Sequence, residues 1–291
     1  MFIVTLLTNP ETPILDRMTV ESLRNAWGGG DAIWLDAGIA AEFAVAVLPT
    51  NRWEVWQGLQ SLRIDMAVQS TEGRRKRLLI ADMDSTMIQQ ECIDELADEA
   101  GVGARVAGIT ARAMNGELDF EAALNERVGL LKGLPEATIA SVLANRITLM
   151  PGGQVLVATM KANGAYAALV SGGFTAFTAA VAAQLGFDEN RANTLLVKEG
   201  VLTGQVARPI LGREAKVQAL TEIAAQLGIS VAQAIAVGDG ANDLGMLELA
   251  GAGVALHAKP SVQAQCGLRV NHGDLTALLY LQGYARTEFV A

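Results

Sequence analysis

Short apolar runs closed by polar or glycine-bearing clusters recur along this chain, and their spacing predicts two architectures in succession. In the first seventy residues the runs at 3–7, 32–35, 43–48 and 65–69 read as strands. Residues 18–27 read as a helix that stops at Gly28-Gly29-Gly30. Trp53, Trp56, Leu59 and Leu62 fall at spacings of three, the apolar stripe of a second helix. The order β-α-β-β-α-β is the ferredoxin-like α+β pattern. Residues 70–76 are polar and contain Gly73, as a linker should, and the basic run 74–77 is expected to be a solvated hinge.

From Leu78 the pattern changes. Apolar runs lead into Asp82, into Ser171-Gly172-Gly173 and into Gly238-Asp239-Gly240, with two further runs at 254–256 and 268–270. Helical stretches such as 215–227 and 243–250 lie between them. Strands alternating with helices predict an α/β, doubly wound parallel (Rossmann-like) sheet. Ligands of such sheets bind beyond the carboxyl ends of the strands, where the polar clusters fall. Helices at 94–100, 106–114, 120–131 and 136–143 interrupt the alternation and predict an inserted helical cap at about 93–145. The expected units are thus residues 1–72 and 77–291, the second carrying the cap and every candidate catalytic residue.

Composition narrows the function classes. A length of 291 residues suits two folded units, and 51% hydrophobic residues supply their cores. A net charge of −9 argues against a sequence-independent grip on nucleic acid. Cys92 and Cys266 are too few for a disulfide framework and match no zinc pattern, which fits a reducing cytoplasm. Residues 1–7 lack a basic leader region. Residues 165–187 carry no charge and are long enough to span a bilayer, but the Gly172-Gly173 breaker and Gln184 predict a buried strand, turn and helix with no membrane role.

The sharpest chemical signal is Asp82-Met83-Asp84-Ser85-Thr86. Side chains two apart on extended backbone face one space, so Asp82 and Asp84 share it. Paired carboxylates repel unless a cation compensates, which points to Mg²⁺, a hard ion held by a few carboxylates and a phosphate. About 155 residues later, Gly238-Asp239-Gly240-Ala241-Asn242-Asp243 follows another buried run and adds Asp239 and Asp243 to the same rim. Ser171 and Gly172, between a strand and a helix, offer a hydroxyl and amides to a phosphate at a helix N-terminus. Lys216, early in a helix, offers a cation. A Ser171 nucleophile is the rival, but Gly-x-Ser-x-Gly is absent and His257 and His272 form no triad pattern.

In chain order these four stretches resemble the motifs of the haloacid-dehalogenase-like phosphatases. Within that superfamily the chain resembles the phosphoserine phosphatases from about Leu78 onward, through Glu91-Cys92-Ile93-Asp94-Glu95, Ala113-Met114-Asn115-Gly116 with Phe120, Arg127-Val128-Gly129-Leu130-Leu131 and Val170 to Phe174. The resemblance implies hydrolysis of phosphoserine through an aspartyl-phosphate, the last step of serine biosynthesis. By it Asp82 is the nucleophile, Asp84 the acid and base, and Lys216 a catalytic and phosphate-binding cation. Mg²⁺ is held by Asp82, Asp239 and the Asp84 main-chain carbonyl. Glu91 binds the substrate ammonium, Arg127 its carboxylate, and Ser171, Gly172 and Asn242 complete the contacts, while Met114 and Phe120 screen the site from water. A solvated Glu91 and a structural ion pair for Arg127 remain open. So does action on another small phosphomonoester, as phosphatase or phosphotransferase. The N-terminal unit resembles ACT-type domains by element order, which implies amino-acid binding or a homodimer through that unit. The glycine-rich turn usual after their first strand is missing from residues 8–12, so a structural role stands beside these.

Overall fold

The computed structural model describes residues 1–114 and 117–290. Its first six elements follow the expected order: β1 (Phe2–Leu7), α1 (Arg17–Ala26), β2 (Ile33–Asp36), β3 (Ala40–Val45), α2 (Arg52–Gln60) and β4 (Asp65–Ser70). The strands form an antiparallel sheet in the order β2-β3-β1-β4. Asp16 starts α1 by accepting the Thr19 N–H at 2.7 Å, one of the donors a helix start leaves open. Gly28 follows its end at φ 61°, a left-handed backbone that costs glycine nothing. Val4, Leu6, Val20, Phe43 and Met66 fill the space between sheet and helices. Two details differ from the sequence pattern. β3 ends at Val45 instead of running to 48, and Leu62, past the end of α2, is 55% exposed.

The second part begins with β5 (Leu78–Ala81) and the inserted helices α3 (Cys92–Glu99), α4 (Gly103–Met114), α5 (Phe120–Gly129) and α6 (Ala137–Asn145). Then come α7 (Gly153–Ala162), β6 (Tyr166–Phe174), α8 (Thr175–Leu185), β7 (Glu189–Asn193), β8 (Leu195–Lys198) and β9 (Val201–Val206). The chain closes with α9 (Arg213–Gln226), β10 (Ala234–Gly238), α10 (Leu244–Leu249), β11 (Ala252–Leu256), α11 (Pro260–Gln263), β12 (Leu268–Val270) and α12 (Ala277–Leu281). Six parallel strands lie in the order β12-β11-β10-β5-β6-β7. β5 sits inside this sheet with all four residues fully buried, which explains its unbroken apolar run. No helix among the described residues is long and apolar enough to cross a membrane. Residues 165–187 form β6 and α8 instead.

Three strands escaped the sequence pattern. β7 reads Glu-Asn-Arg-Ala-Asn, and only its last two residues are buried at the sheet edge. β8 and β9 form a separate hairpin whose two turn residues, Glu199 and Gly200, both have positive φ, as a type I′ turn requires. The hairpin braces the inserted helices, since Gly133 N–H donates to Leu202 O and Leu202 N–H to Leu134 O, both at 2.8 Å.

The basic run after β4 is not a solvated hinge. Arg74 forks onto Glu42 of β3 with both partners nearly buried, and its Nε donates to Leu281 O at 3.1 Å. Arg75 pairs with Glu288 and lies 4.0 Å over the Tyr284 ring. Lys76 donates to Ala232 O at 2.9 Å. Arg74, Arg75 and Lys76 each find a partner distant in sequence, which composition cannot show, while Arg77 is exposed as expected. The two sheets are joined further by Asp65 at the start of β4. Its fully buried carboxylate accepts the N–H groups of Asn271, His272 and Gly273 at 2.8–2.9 Å. Leu7, Leu35, Ala40 and Ala67 share one apolar cluster with the larger unit.

Three buried N–H donors lose their acceptor in Asp65→Ala, so that change should destabilise the protein by roughly 2–4 kcal/mol. Asp65→Asn, which keeps an acceptor oxygen, should lose about half as much on the same scale. Urea unfolding of both variants measures the difference; equal stability of Asp65→Ala and wild type would show that water replaces the carboxylate.

Candidate active site

The carboxyl ends of β5, β6 and β10 lie side by side in the parallel sheet, and the polar clusters of the sequence meet there. Asp82 directly follows β5, and its N–H donates to Val237 O of β10 at 3.0 Å. Its Oδ1 receives the Met83 N–H at 2.7 Å and lies 2.8 Å from Lys216 Nζ. Oδ2 has no donor among the described residues, so one oxygen stays available for chemistry. Lys216, in the first turns of α9, is also 2.6 Å from Asp243 Oδ1. Asp243 Oδ2 accepts the Gly240 N–H at 2.9 Å, which closes the turn after β10. A β-carbon at Gly238 would overlap the Asp243 carboxylate, so this turn needs glycine.

Charge balance follows from this packing. Burial opposes the Lys216 charge, but Asp243 and Asp82 outweigh it and raise its pKa, so the ammonium is held. Burial and then Asp243 push Asp82 upward, against the pull of Lys216. Asp239 is raised to about 6, by desolvation first and Asp243 next. Carboxylate oxygens of Asp82, Asp239 and Asp243 come within 4.8 Å of one another. Lys216, with Lys259 acting on Asp239, does not neutralise three carboxylates, and an all-oxygen donor set suits a hard divalent cation. The Asp84 carboxylate stands outside this cluster. Its Oδ1 accepts the Cys92 N–H at 3.0 Å and its Oδ2 lies 3.4 Å from Ser171 Oγ.

Ser171 and Gly172 differ in setting from the sequence reading. β6 continues through both to Phe174, with a register slip between Val170 and Phe174, and α8 starts only at Thr175. The loop is therefore a kinked strand end, with Gly173 N–H donating to Ser171 Oγ at 2.8 Å. Above it, the Phe120 ring lies 3.3 Å from where a β-carbon would stand at Gly172 or Gly212. Glu91 is exposed as a residue, yet protein atoms crowd its carboxylate in the cleft. That desolvation, with Asp84 nearby, raises its pKa to about 7, against a 2.7 Å bond from Ser85 Oγ. Arg127 is half-buried and donates only to Ala123 O; among the described residues no carboxylate lies within 4 Å of it. Asn242 sits half-exposed on the turn after β10. The Met114 side chain, and the adjoining Asn115-Gly116, lie outside the described residues.

Residues 79–248, more than half of the chain, match the haloacid dehalogenase-like hydrolase family. The chain belongs to that family. Among relatives of this hydrolase, a phosphoserine phosphatase of Streptococcus thermophilus is 48% identical over 200 residues, 69% of this chain and 93% of that one. A phosphoserine phosphatase of Streptomyces coelicolor is 43% identical over 256 residues, 87% of this chain and 62% of that one. A solved HAD family hydrolase of Salmonella enterica serovar Typhi has 32% identity and a TM-score of 0.87, covering 96% of this chain and 97% of that one. The hydrolase spans 56–65% of the length of three of the curated relatives it matches.

Sequence reasoning missed two supports of this hydrolase's site. Asn193, buried at the end of β7, donates to Gly172 O at 2.9 Å and Leu211 O at 3.1 Å, and accepts the Leu211 N–H at 2.8 Å. Ser85 takes a positive φ of 54°, from which its hydroxyl reaches Glu91. A polar residue ending an otherwise weak strand pattern was the one available signal for Asn193. Nothing local marked Ser85.

The raised carboxyls predict a pH dependence for the metal-free protein. Glu91 rises from 4.5 to about 7 and Asp239 from 3.8 to about 6, so folding is penalised above those values and relieved below. Melting temperature should therefore rise as pH falls from about 8 to about 5, through Glu91 first, and Asp239→Asn should flatten the part of that slope below about 6.5. Melts of both proteins across the range check it; an identical slope would clear Asp239 of the effect.

Proposed function

We propose that this chain hydrolyses O-phosphoserine to serine and phosphate through an aspartyl-phosphate at Asp82. The observation that carries the substrate is Arg127: a desolvated guanidinium with no carboxylate within 4 Å among the described residues, in the same cleft as the Glu91 carboxylate and the Asp82–Asp84 pair. Burial lowers the Arg127 pKa while Asp94, Glu91 and Asp84 act to raise it, so it remains a cation awaiting an anion. Phosphoserine presents a carboxylate, an ammonium and a phosphate dianion, which suit Arg127, Glu91 and the Lys216 end respectively. Relatives named phosphoserine phosphatase at 43–48% identity support the same reading.

In the mechanism we propose, Asp82 Oδ2 attacks phosphorus in line as the bond to the serine oxygen breaks. Asp84 passes its proton to that oxygen and later takes one from the water that hydrolyses the aspartyl-phosphate. Lys216, the Ser171 hydroxyl and the Gly172 amide hold the phosphate oxygens, and positioning of this kind provides most of the acceleration for a loose phosphoryl transition state. Mg²⁺ fits the donor set of Asp82, Asp239 and the Asp84 carbonyl, and when bound it supplies positive charge beside the phosphate oxygens. Phe120, against Gly172 and Gly212, excludes water from above.

Asp82→Asn should abolish turnover without unfolding the protein, since an amide does not attack phosphorus; retained phosphate release by a folded variant would remove the covalent mechanism. Arg127→Ala should lower kcat/KM for phosphoserine by roughly one to two powers of ten, the worth of a charge-assisted bond. It should spare p-nitrophenyl phosphate, which has no carboxylate. Equal losses on both substrates would mean that Arg127 supports the fold of the inserted helices, and the substrate assignment would fall.

A further inference from the structure

Asn193 ends β7 with its side chain buried and both heteroatoms of its amide bonded. It lies where the neighbouring strand departs from regular pairing. From Val170 to Phe174 β6 advances four residues, while β7 advances two, from Arg191 to Asn193. The Ser171-Gly172-Gly173 stretch is therefore longer than a regular ladder would pair, and the Asn193 amide reaches across to it. Leu211, just before α9, pins that amide. Its N–H donates to Oδ1 at 2.8 Å, and its carbonyl accepts from Nδ2 at 3.1 Å. Nδ2 carries a second hydrogen, and it goes to Gly172 O at 2.9 Å.

The Gly172 carbonyl and the Gly173 N–H belong to one planar peptide unit. Asn193 holds its oxygen, and Ser171 Oγ accepts its N–H at 2.8 Å. A β-carbon at Gly173 would stand 3.0 Å from Ser171 Oγ and 2.6 Å from Asp84 Oδ2, so the backbone runs close past both groups. We infer that Asn193 is a positioning residue for the phosphate: through the Gly172–Gly173 peptide it fixes Ser171 Oγ as an acceptor toward Gly173, which leaves the hydroxyl proton for a phosphate oxygen. This rests on the reading of Ser171 as a phosphate ligand. A hydroxyl has one proton and two lone pairs. The Gly173 N–H takes one lone pair, and the Asp84 contact at 3.4 Å is long for an O–H donor, so the proton is free to turn to the substrate. A peptide whose carbonyl accepts a bond is a better N–H donor, so the bonds of this chain strengthen one another. Without Asn193, a peptide flanked by two glycines has little to stop it rotating, and Ser171 loses its fixed orientation. Because the relay ends at the phosphate, its loss weighs on every phosphomonoester alike, unlike the loss of Arg127.

A double-mutant cycle on kcat/KM tests this, read on phosphoserine and on p-nitrophenyl phosphate. Either substrate alone suffices, since the phosphate is common to both. Ser171→Ala should lower both values by roughly one to two powers of ten, the worth of a hydrogen bond to a charged group. Asn193→Ala should lower both roughly five- to tenfold when Ser171 is present, the worth of a neutral hydrogen bond. It should cost less than about twofold when Ser171 is already alanine, since residues that act through one another do not add. Asn193→Asp keeps an acceptor for Leu211 and offers Gly172 O no donor, so it should show the same pattern and serves if the alanine variant does not fold. A merely structural asparagine would cost the same in both backgrounds. Equal losses with and without Ser171, or no loss from either Asn193 variant, would overturn the inference. If Ser171→Ala itself costs nothing, the phosphate reading of Ser171 falls and this inference with it. If Ser171→Ala does cost activity and the Asn193 losses are equal in both backgrounds, only the role of Asn193 falls.

Discussion

The ammonium of Lys216, buried between Asp82 and Asp243, is the interaction on which the site depends. A buried cation is tolerated only with close, well-aligned anions, and here two carboxylates lie within 2.8 Å of it. Those contacts tie together three segments far apart in sequence: the residue after β5, the first turns of α9 and the turn after β10. They also leave the rim short of positive charge. Asp82, Asp239 and Asp243 crowd one small volume, and Lys216 answers only part of their charge. The remaining deficit suits the site to a metal ion, and it adds to the burial that first lifts the Asp239 pKa to about 6.

The floor of the site is the end of the parallel sheet, and the inserted helices above it are joined to it by two adjacent chains and braced by the β8–β9 hairpin. Gln89 N–H donates to Thr148 O and Met150 N–H to Met87 O, each at 2.9 Å, so the two chains entering and leaving the inserted helices run side by side. The groups we assign to the phosphate belong to the floor. Glu91 and Arg127, which we assign to the amino-acid part of the substrate, stand at or beyond those two chains.

Chemistry carried by neighbouring residues was legible in the sequence. Asp82 directly follows a strand that is apolar because both faces are covered, Asp84 begins the turn after it instead of alternating with Asp82 along extended backbone, and Gly238 to Asp243 is a turn whose glycine the packing requires. These are short-range properties, with periods of two to four residues, and a single chain displays them without folding. The inserted helices were legible for the same reason, with ends within a few residues of those expected.

Tertiary structure alone decided the rest, because the groups concerned acquire their meaning from distant partners. β7 is polar and becomes a strand only by lying along β6, and the basic run at 74–76 is anchored because Glu42, Leu281, Glu288 and Ala232 surround it. Asp65, unremarkable at the head of a strand, is buried because three N–H groups about two hundred residues later converge on it. Asn193 and Cys92 read locally as a strand end and an apolar helix residue, yet one clamps Gly172 and the other grips Asp84. The sequence alone determined which segments are helix or central strand and which acidic, hydroxyl and lysine residues fall beyond strand ends, since local sterics and periodic burial dictate both. Only the folded chain decided how each of those side chains is oriented, charged and accompanied, because hydrogen bonds and Coulomb forces act across space without regard to separation along the chain.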